Sequence, residues 1–146
     1  MKIYTLVFAV LLSLPFPAVL LAQSNFVTIP AASYEIIDGI TAIKTTVSTN
    51  EFLISKTEVT QRDFCEVMGF NPSYDKADKK PVENVSWYQA IQYCNSKSIR
   101  DQLQPCYNLS TGRCDFSKNG YRLPTDTEWT LASGYDPNLN AETLAK

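Results

Sequence analysis

The chain has 146 residues, of which 45% are hydrophobic and 12% aromatic, and its formal net charge is −2. That length allows one domain with a packed core, and the charge balance gives no electrostatic basis for binding nucleic acid. The sequence contains no histidine, which excludes Ser-His-Asp and Cys-His catalysis and the HExxH metal sites, since each of them requires an imidazole.

Residues 1–22 have the composition of an export signal. Lys2 precedes a long apolar run that ends at Ala22, a small residue suited to the −1 side of a cleavage site. We expect cleavage between Ala22 and Gln23, after which the chain has no membrane span and meets an oxidising compartment: the periplasm, the cell surface or the medium. The alternative is an uncleaved anchor, because residues 3–22 are about long enough to cross a bilayer.

The segment that follows the leader predicts β-strands. Residues 26–29 are apolar and partly β-branched, and Pro30 closes them. Residues 31–50 are rich in Thr and Ile around an Asp38-Gly39 turn, which predicts a strand pair. A further apolar segment follows at 52–54.

Three helices are marked by capping residues at their starts. The pairs are Thr60 with Asp63, Ser86 with Gln89, and Thr125 with Glu128. The first pair is an incomplete capping box and the other two are complete, so we expect helices to begin at 61, 87 and 126. Gly69 and Gly134 are expected to end the first and third of them.

The second predicted helix carries one apolar face. Trp87, Ala90, Ile91 and Cys94 recur at i, i+3, i+4 and i+7, and we expect all four to be buried. Trp129, in the first turn of the third helix, is also expected in the core. These short strands and segregated helices predict an α+β fold.

Two cysteines lie between the second and third helices. Cys106 and Cys114 flank a Ser-Thr-Gly turn at 110–112, and we expect a β-hairpin there. A disulfide between these two is the preferred pairing in an oxidising compartment, while the pairing of Cys65 and Cys94 stays open. No CxxC spacing occurs, so a zinc site has little support.

Two charged residues follow at the start of the third helix. We expect Arg122 to pair with a nearby acid, as guanidinium groups do with carboxylates. Glu128 is expected to act as the third residue of its capping box and not as a general acid or base.

Four segments resemble, in order and spacing, the front half of the formylglycine-generating-enzyme (sulfatase-modifying factor) family. They are ISKTEVTQ at 54–61, NPS at 71–73, PVENVSW at 81–87 and GYRLPTDTEW at 120–129. The resemblance implies an irregular α+β fold related to C-type lectin domains, with residues 23–146 forming a truncated, N-terminal part of it. Enzymes of that family oxidise a substrate cysteine to formylglycine with copper held by two cysteines of the later half. The motifs of that half do not occur here, so we expect no catalytic, cofactor-binding or metal-binding residue in this chain.

Three functions are compatible with these observations. The favoured one is an exported, non-catalytic binding or structural module whose partner is an unidentified protein or ligand. The second is a fragment of a formylglycine-generating oxidase that acts on sulfatase cysteines. The third is a lectin-like ligand-binding module, because fold alone does not determine function.

Overall fold

The computed structural model describes residues 9–10, 25–37 and 42–133. Its strands are β1 (Ala9–Val10), β2 (Phe26–Ile29), β3 (Ala32–Ile37), β4 (Lys44–Thr49), β5 (Phe52–Ser55) and β6 (Tyr121–Arg122). Its helices are α1 (Gln61–Met68), α2 (Trp87–Arg100) and α3 (Asp126–Ala132). In this part of the chain, no helix has the length and hydrophobicity needed to cross a bilayer.

Four strands form an antiparallel sheet in the order β2-β5-β1-β6, and β3 pairs with β4 in a separate hairpin. The strands predicted after the leader are thereby confirmed. Ala9 of β1 lies opposite Ile54 of β5 on one side and Arg122 of β6 on the other. β1 belongs to the predicted leader, so cleavage after Ala22 would remove the strand that joins β5 to β6. The cleavage site itself and the Asp38-Gly39 turn lie outside the described residues.

All three helices begin where the capping residues predict. Thr60 Oγ1 accepts a hydrogen bond from the Asp63 N–H at 3.2 Å, and α2 and α3 carry complete capping boxes. Gly69, with φ of 79°, ends α1 and donates its N–H to the Cys65 carbonyl at 2.8 Å. That left-handed conformation is one that glycine adopts readily. α3 ends at Ala132 with Ser133 as its cap, and Gly134 lies outside the described residues.

The main core lies where α1 and α2 pack together and against β6. Phe64 and Tyr93 stack with ring centroids 5.2 Å apart, and Cys94 and Tyr121 are buried beside them. A smaller cluster forms around Phe52 and Ile54 of β5, against Ile29 and Ala132. The smaller cluster joins the sheet to α3.

The predicted burial of the two tryptophans is wrong. Trp87 is 53% exposed and Trp129 is 52% exposed. The buried face of α2 begins one turn later, at Ala90, Ile91 and Cys94, which are buried as predicted. Trp87 stands at the first position of its helix, where its ring meets Tyr107 edge-on at 6.4 Å and leaves its other side in solvent.

Residues 105–121 form a looped segment and not the predicted β-hairpin. Strand pairing within this described segment is limited to one bridge, between Tyr107 and Cys114, and its last residue, Tyr121, pairs with Val10 as part of β6. The side chains of Asn108 and Asp115 accept hydrogen bonds from the backbone N–H groups of residues 110, 111 and 117. Such side-chain turns compete with a strand ladder for the same donors, which explains the difference.

β6 begins at a point of close backbone approach. A Cβ on Gly120 would lie 2.2 Å from the Gln104 carbonyl oxygen and 2.6 Å from Ser98 Oγ. Ser98 Oγ also accepts the Tyr121 N–H at 2.8 Å and donates to the Cys94 carbonyl at 2.7 Å. Glycine is therefore needed for the segment before β6 to dock on α2.

Candidate functional site

A buried ion pair positions α3 against β6. Arg122 Nη1 and Nη2 donate to the two Glu128 carboxylate oxygens at 2.7 and 2.6 Å, and the side chains are only 2% and 10% exposed. Glu128 Oε2 also accepts the Thr125 N–H at 2.8 Å. The predictions that Arg122 pairs with an acid and that Glu128 caps the helix are confirmed.

The same contacts keep Glu128 ionised. Burial raises the pKa of Glu128, but the hydrogen bonds from Arg122 and from the Thr125 backbone outweigh it, so the net pKa lies below its ordinary value. Both carboxylate oxygens are occupied by structural donors. Glu128 is therefore poorly placed for general acid–base chemistry, which requires a group that can exchange a proton with a substrate.

An open groove of about 630 Å³ lies beside α3, and we call it the Trp129 groove. Its apolar lining includes Trp129, Val27, Ile54 and Pro81. Lys56, Lys79 and Glu58 add charge to the lining. With half of the Trp129 ring in solvent, the groove offers an aromatic surface bordered by mainly cationic groups, a combination typical of binding sites.

One wall of the Trp129 groove is a loop bonded to the start of α1 by the Gln61 side-chain amide as well as by the backbone, where the Gln61 N–H donates to the Lys80 carbonyl at 2.9 Å. Gln61 is 1% exposed. Its Nε2 donates to the carbonyls of Asp75 at 2.9 Å and Pro81 at 3.4 Å. Its Oε1 accepts from Asn71 Nδ2 and the Ala77 N–H, each at 2.9 Å. All four hydrogen-bonding positions of the amide are used, and the loop that carries Lys79 and Pro81 is fixed to α1.

A smaller cavity of about 200 Å³ lies between the start of β2 and helices α1 and α2. All of its lysine and arginine side chains are paired with carboxylates: Lys97 with Asp101 at 2.7 Å, and Arg100 with Glu66 at 3.6 Å. The Tyr121 hydroxyl also donates to Asp101 at 2.8 Å. Since these groups already satisfy one another, the Trp129 groove is the better candidate for a ligand.

The two disulfide candidates lie side by side behind the ion pair. Cys106 is buried and Cys114 is partly exposed, and their side chains are in hydrogen-bonding contact. All four cysteines of the chain are thiols in the structure, so the bridge stays a prediction.

The Cys106 thiol makes its contacts within the protein. The Cys106 thiol contacts Cys114 directly and is directed at the Gly120 carbonyl 3.3 Å away. Within the described ranges, no three His, Cys, Asp or Glu side chains come together as metal ligands. The resemblance assigns the copper cysteines to the later half of the family's domain, so the expectation that this chain holds no copper stays a prediction.

Mixed strands and helices, a lectin-like sheet and a capped helix held by a buried Arg–Glu pair define a domain of the sulfatase-modifying-factor class. Residues 16–138 match the family described as "Sulfatase-modifying factor enzyme 1-like domain". The chain belongs to this family, which confirms the resemblance and the α+β fold.

Two similar proteins are both longer than this chain. "Chaperone protein LppX" of Paenibacillus barcinonensis is 40% identical over 104 residues, a match that takes in 60% of this chain and 37% of that protein. The solved structure of "Treponema denticola variable protein 1" superposes with a TM-score of 0.65 at 33% identity, covering 73% of this chain and 51% of that one. The chain thus spans about half or less of the length of these relatives.

Sequence patterns did not reveal the groove. Its lining comes from four separate parts of the chain: β2, residues 54–60, residues 79–81 and α3. The four hydrogen bonds of the Gln61 amide were also not predicted, because a glutamine at the start of a helix has no distinguishing sequence pattern. The residue in the sequence that could have indicated the groove is Trp129, since a large aromatic side chain on a short helix packs either in a core or in a binding site.

Proposed function

We propose that this chain is an exported, non-catalytic binding module that holds an extended segment of another polypeptide in the Trp129 groove. The observation that carries the proposal is the groove itself: an open apolar trough with a half-exposed tryptophan and two lysines. Apolar surfaces of this kind on soluble proteins mark sites of interaction.

The shape and position of the groove favour a polypeptide. The groove runs beside β2 and β5, and Val27 of β2 is 41% exposed. An extended peptide next to a sheet can place alternate side chains on such a surface, as in the recognition of strands by sheets. One relative has a name that includes the word chaperone, which fits a role in holding another chain.

The charges of the groove favour acidic residues in the ligand. Lys56 and Lys79 outnumber Glu58 among the charged lining residues. We therefore expect an apolar core flanked by carboxylates to bind better than the same core flanked by ammonium groups, with the preference reduced by salt.

The test uses the full chain with Trp87 changed to phenylalanine, so that emission comes from Trp129 alone. The probe is the synthetic peptide Asp-Val-Thr-Val-Thr-Val-Asp, and the control peptide has lysine at both ends. We expect a blue shift of Trp129 emission with the acidic peptide and a weaker response with the basic one. Trp129→Phe, which leaves Trp87 as the reporter at nearly equal exposure, is the matched control and should show no shift.

Two outcomes would contradict the proposal. If Trp129 emission does not change at millimolar peptide in a folded protein, the groove does not take an extended polypeptide. If the chain, given copper and a cysteine-containing sulfatase peptide, converts that cysteine to formylglycine, as seen by mass spectrometry, the module is an oxidase after all.

Export is tested separately. We expect the protein recovered from outside the cytoplasm to begin at Gln23, or within a few residues of it. N-terminal sequencing provides the measurement. A protein that keeps Met1 and stays in the membrane fraction would show that residues 3–22 serve as an anchor instead.

A further inference from the structure

The described part of the chain contains a second chemical site, separate from the Trp129 groove, in which three thiols lie within electrostatic reach of one guanidinium group. Cys94 and Cys106 are buried, with exposures of 0% and 2%, and Cys114 is partly exposed. Arg122 interacts electrostatically with all three cysteines. Its Nε is buried and has no hydrogen-bond partner. The Arg122 guanidinium is thus available to stabilise a neighbouring thiolate.

We infer that Cys106 and Cys114 form a site of thiol–disulfide exchange, which closes as an intramolecular disulfide on reaction with a small-molecule disulfide and leaves Cys94 as a thiol. The inference rests on the backbone as well as on the thiols. Tyr107 and Cys114 form a bridge, and the Asp115 N–H donates to the Cys106 carbonyl at 2.8 Å. Cys114 therefore lies opposite Tyr107, the neighbour of Cys106, and the Cys106 and Cys114 side chains are in contact across this bridged segment.

The pKa values of the three thiols favour a disulfide between Cys106 and Cys114 over one that includes Cys94. The hydrogen bond from the Cys114 thiol is the main cause that lowers the pKa of Cys106 to about 7, and Arg122 lowers it further, although burial opposes both. The same contact raises the pKa of Cys114. Burial raises the pKa of Cys94 well above its ordinary value, so Cys94 supplies little thiolate for attack.

The exchange proceeds in two balanced steps. The Cys106 thiolate accepts the proton of the partly exposed Cys114 thiol as the Cys114 sulfur attacks one sulfur of the small disulfide, which breaks the S–S bond, forms a mixed disulfide at Cys114 and releases one thiolate. Cys106 passes that proton to the released thiolate, attacks the Cys114 sulfur as a thiolate and expels the second thiolate, which takes a proton from solvent. The two protein thiols are oxidised, the small disulfide is reduced to two thiols, and the two protons go to those thiols.

Peptide mapping shows directly which cysteines are linked by a disulfide. Trypsin cuts at positions that place each of the four cysteines in a different peptide: Arg62, Lys76, Lys97, Arg100, Arg113 and Lys118. The full chain is purified reduced, equilibrated with glutathione disulfide, alkylated and digested without reductant. We expect one linked species, joining the peptides of Cys106 and Cys114, and an alkylated peptide for the buried Cys94; the partly exposed Cys65 should be found alkylated or with one bound glutathione, and not linked to another cysteine.

Two variants test the order of the steps. In Cys106→Ser the resolving thiol is missing, so Cys114 should accumulate one bound glutathione. Cys65→Ser removes another partly exposed thiol, on α1, and should leave the 106–114 link unchanged. Because Cys106→Ser alters a buried site and can fail to fold, the wild-type map decides the inference. A link between Cys94 and Cys106, or four alkylated peptides after equilibration, would overturn it.

The bridge should also be visible in stability. It closes a loop of about nine residues, for which loop-closure entropy predicts an unfolding equilibrium constant on the order of 100-fold smaller in the oxidised chain. Urea titration of oxidised and reduced wild type gives this ratio. Equal midpoints for the two forms would show that the pair does not stabilise the fold by cross-linking it. Since Trp129 emission is measured on reduced protein, failure of the groove proposal leaves this one intact.

Discussion

Replacing Glu128 with alanine should lower the free energy of unfolding by about 3–5 kcal/mol, because it leaves the Arg122 charge buried without its partner. Arg122 is 2% exposed and makes two hydrogen bonds to the carboxylate. Its remaining contacts are a hydrogen bond to the Leu123 carbonyl at 3.1 Å and the Phe116 ring, 4.8 Å from the guanidinium carbon. Neither replaces the lost charge. Urea denaturation monitored by circular dichroism gives the free energy.

A surface ion pair supplies the control for this substitution. Glu35 pairs with Lys44 at 3.1 Å, and both side chains are more than half exposed. Glu35→Ala should cost only about 0–1 kcal/mol. The double variant Arg122→Met with Glu128→Leu separates the orphaned charge from the pair itself, since replacing both partners with apolar groups is often nearly neutral. Equal losses from Glu128→Ala and Glu35→Ala would mean that the buried pair contributes no more than a surface one.

The cost of Glu128→Ala should also depend on pH in a defined direction. The pKa of Glu128 is lowered in the folded chain, so its contribution is present in full above its unfolded pKa of about 4.3. That contribution is lost as the pH falls through the lower, folded-state pKa, because the protonated carboxyl no longer pairs with Arg122. The stability difference between wild type and variant should therefore be constant from pH 7 to about 5 and shrink below that.

The capping residues and the family motifs predicted the helices and strands because they act locally. A capping box satisfies backbone donors within four residues, so Ser86 and Thr125 set their helix starts whatever surrounds them. Gly120 differs, since the close approach that requires glycine there comes from the distant residues Gln104 and Ser98. The pairing of Arg122 with an acid was predicted from the sequence, but the burial of Arg122 and Glu128 was not.

The features that define the candidate site depend on contacts between distant parts of the chain. Trp87 and Trp129 have the same hydrophobicity as core residues, and only the packing of neighbouring elements decides that each stays half exposed. The looped segment around Cys106 and Cys114 was misjudged because turn signals alone do not tell a strand ladder from side-chain turns. The position of β1 between β5 and β6 was also not anticipated, because an apolar leader carries no signal for strand register.

Changing Gln61 to leucine should destabilise the domain by about 2–4 kcal/mol and weaken peptide binding to the Trp129 groove. The leucine side chain fills a similar volume but leaves the carbonyls of Asp75 and Pro81, the Asn71 amide and the Ala77 N–H without this partner. Each buried polar group left unpaired costs about 1–3 kcal/mol, and the exposed edge of the loop lets water relieve part of the total. Gln92→Leu, at an exposed position on α2, is the matched control and should change stability by less than about 0.5 kcal/mol.

Binding should respond more than the loss of stability alone requires, because Lys79 and Pro81 stand on the loop that Gln61 fixes. In the Trp87→Phe background, Gln61→Leu should raise the peptide concentration needed for half of the Trp129 shift, even where circular dichroism shows a fully folded chain. If folded Gln61→Leu binds the peptide with unchanged affinity, the loop that carries Lys79 and Pro81 does not contribute to peptide binding. Gln61→Glu tests the donated hydrogen bonds separately: it keeps the acceptor for Asn71 and Ala77 but turns a carboxylate oxygen toward the Asp75 and Pro81 carbonyls, so its affinity should also fall below that of wild type.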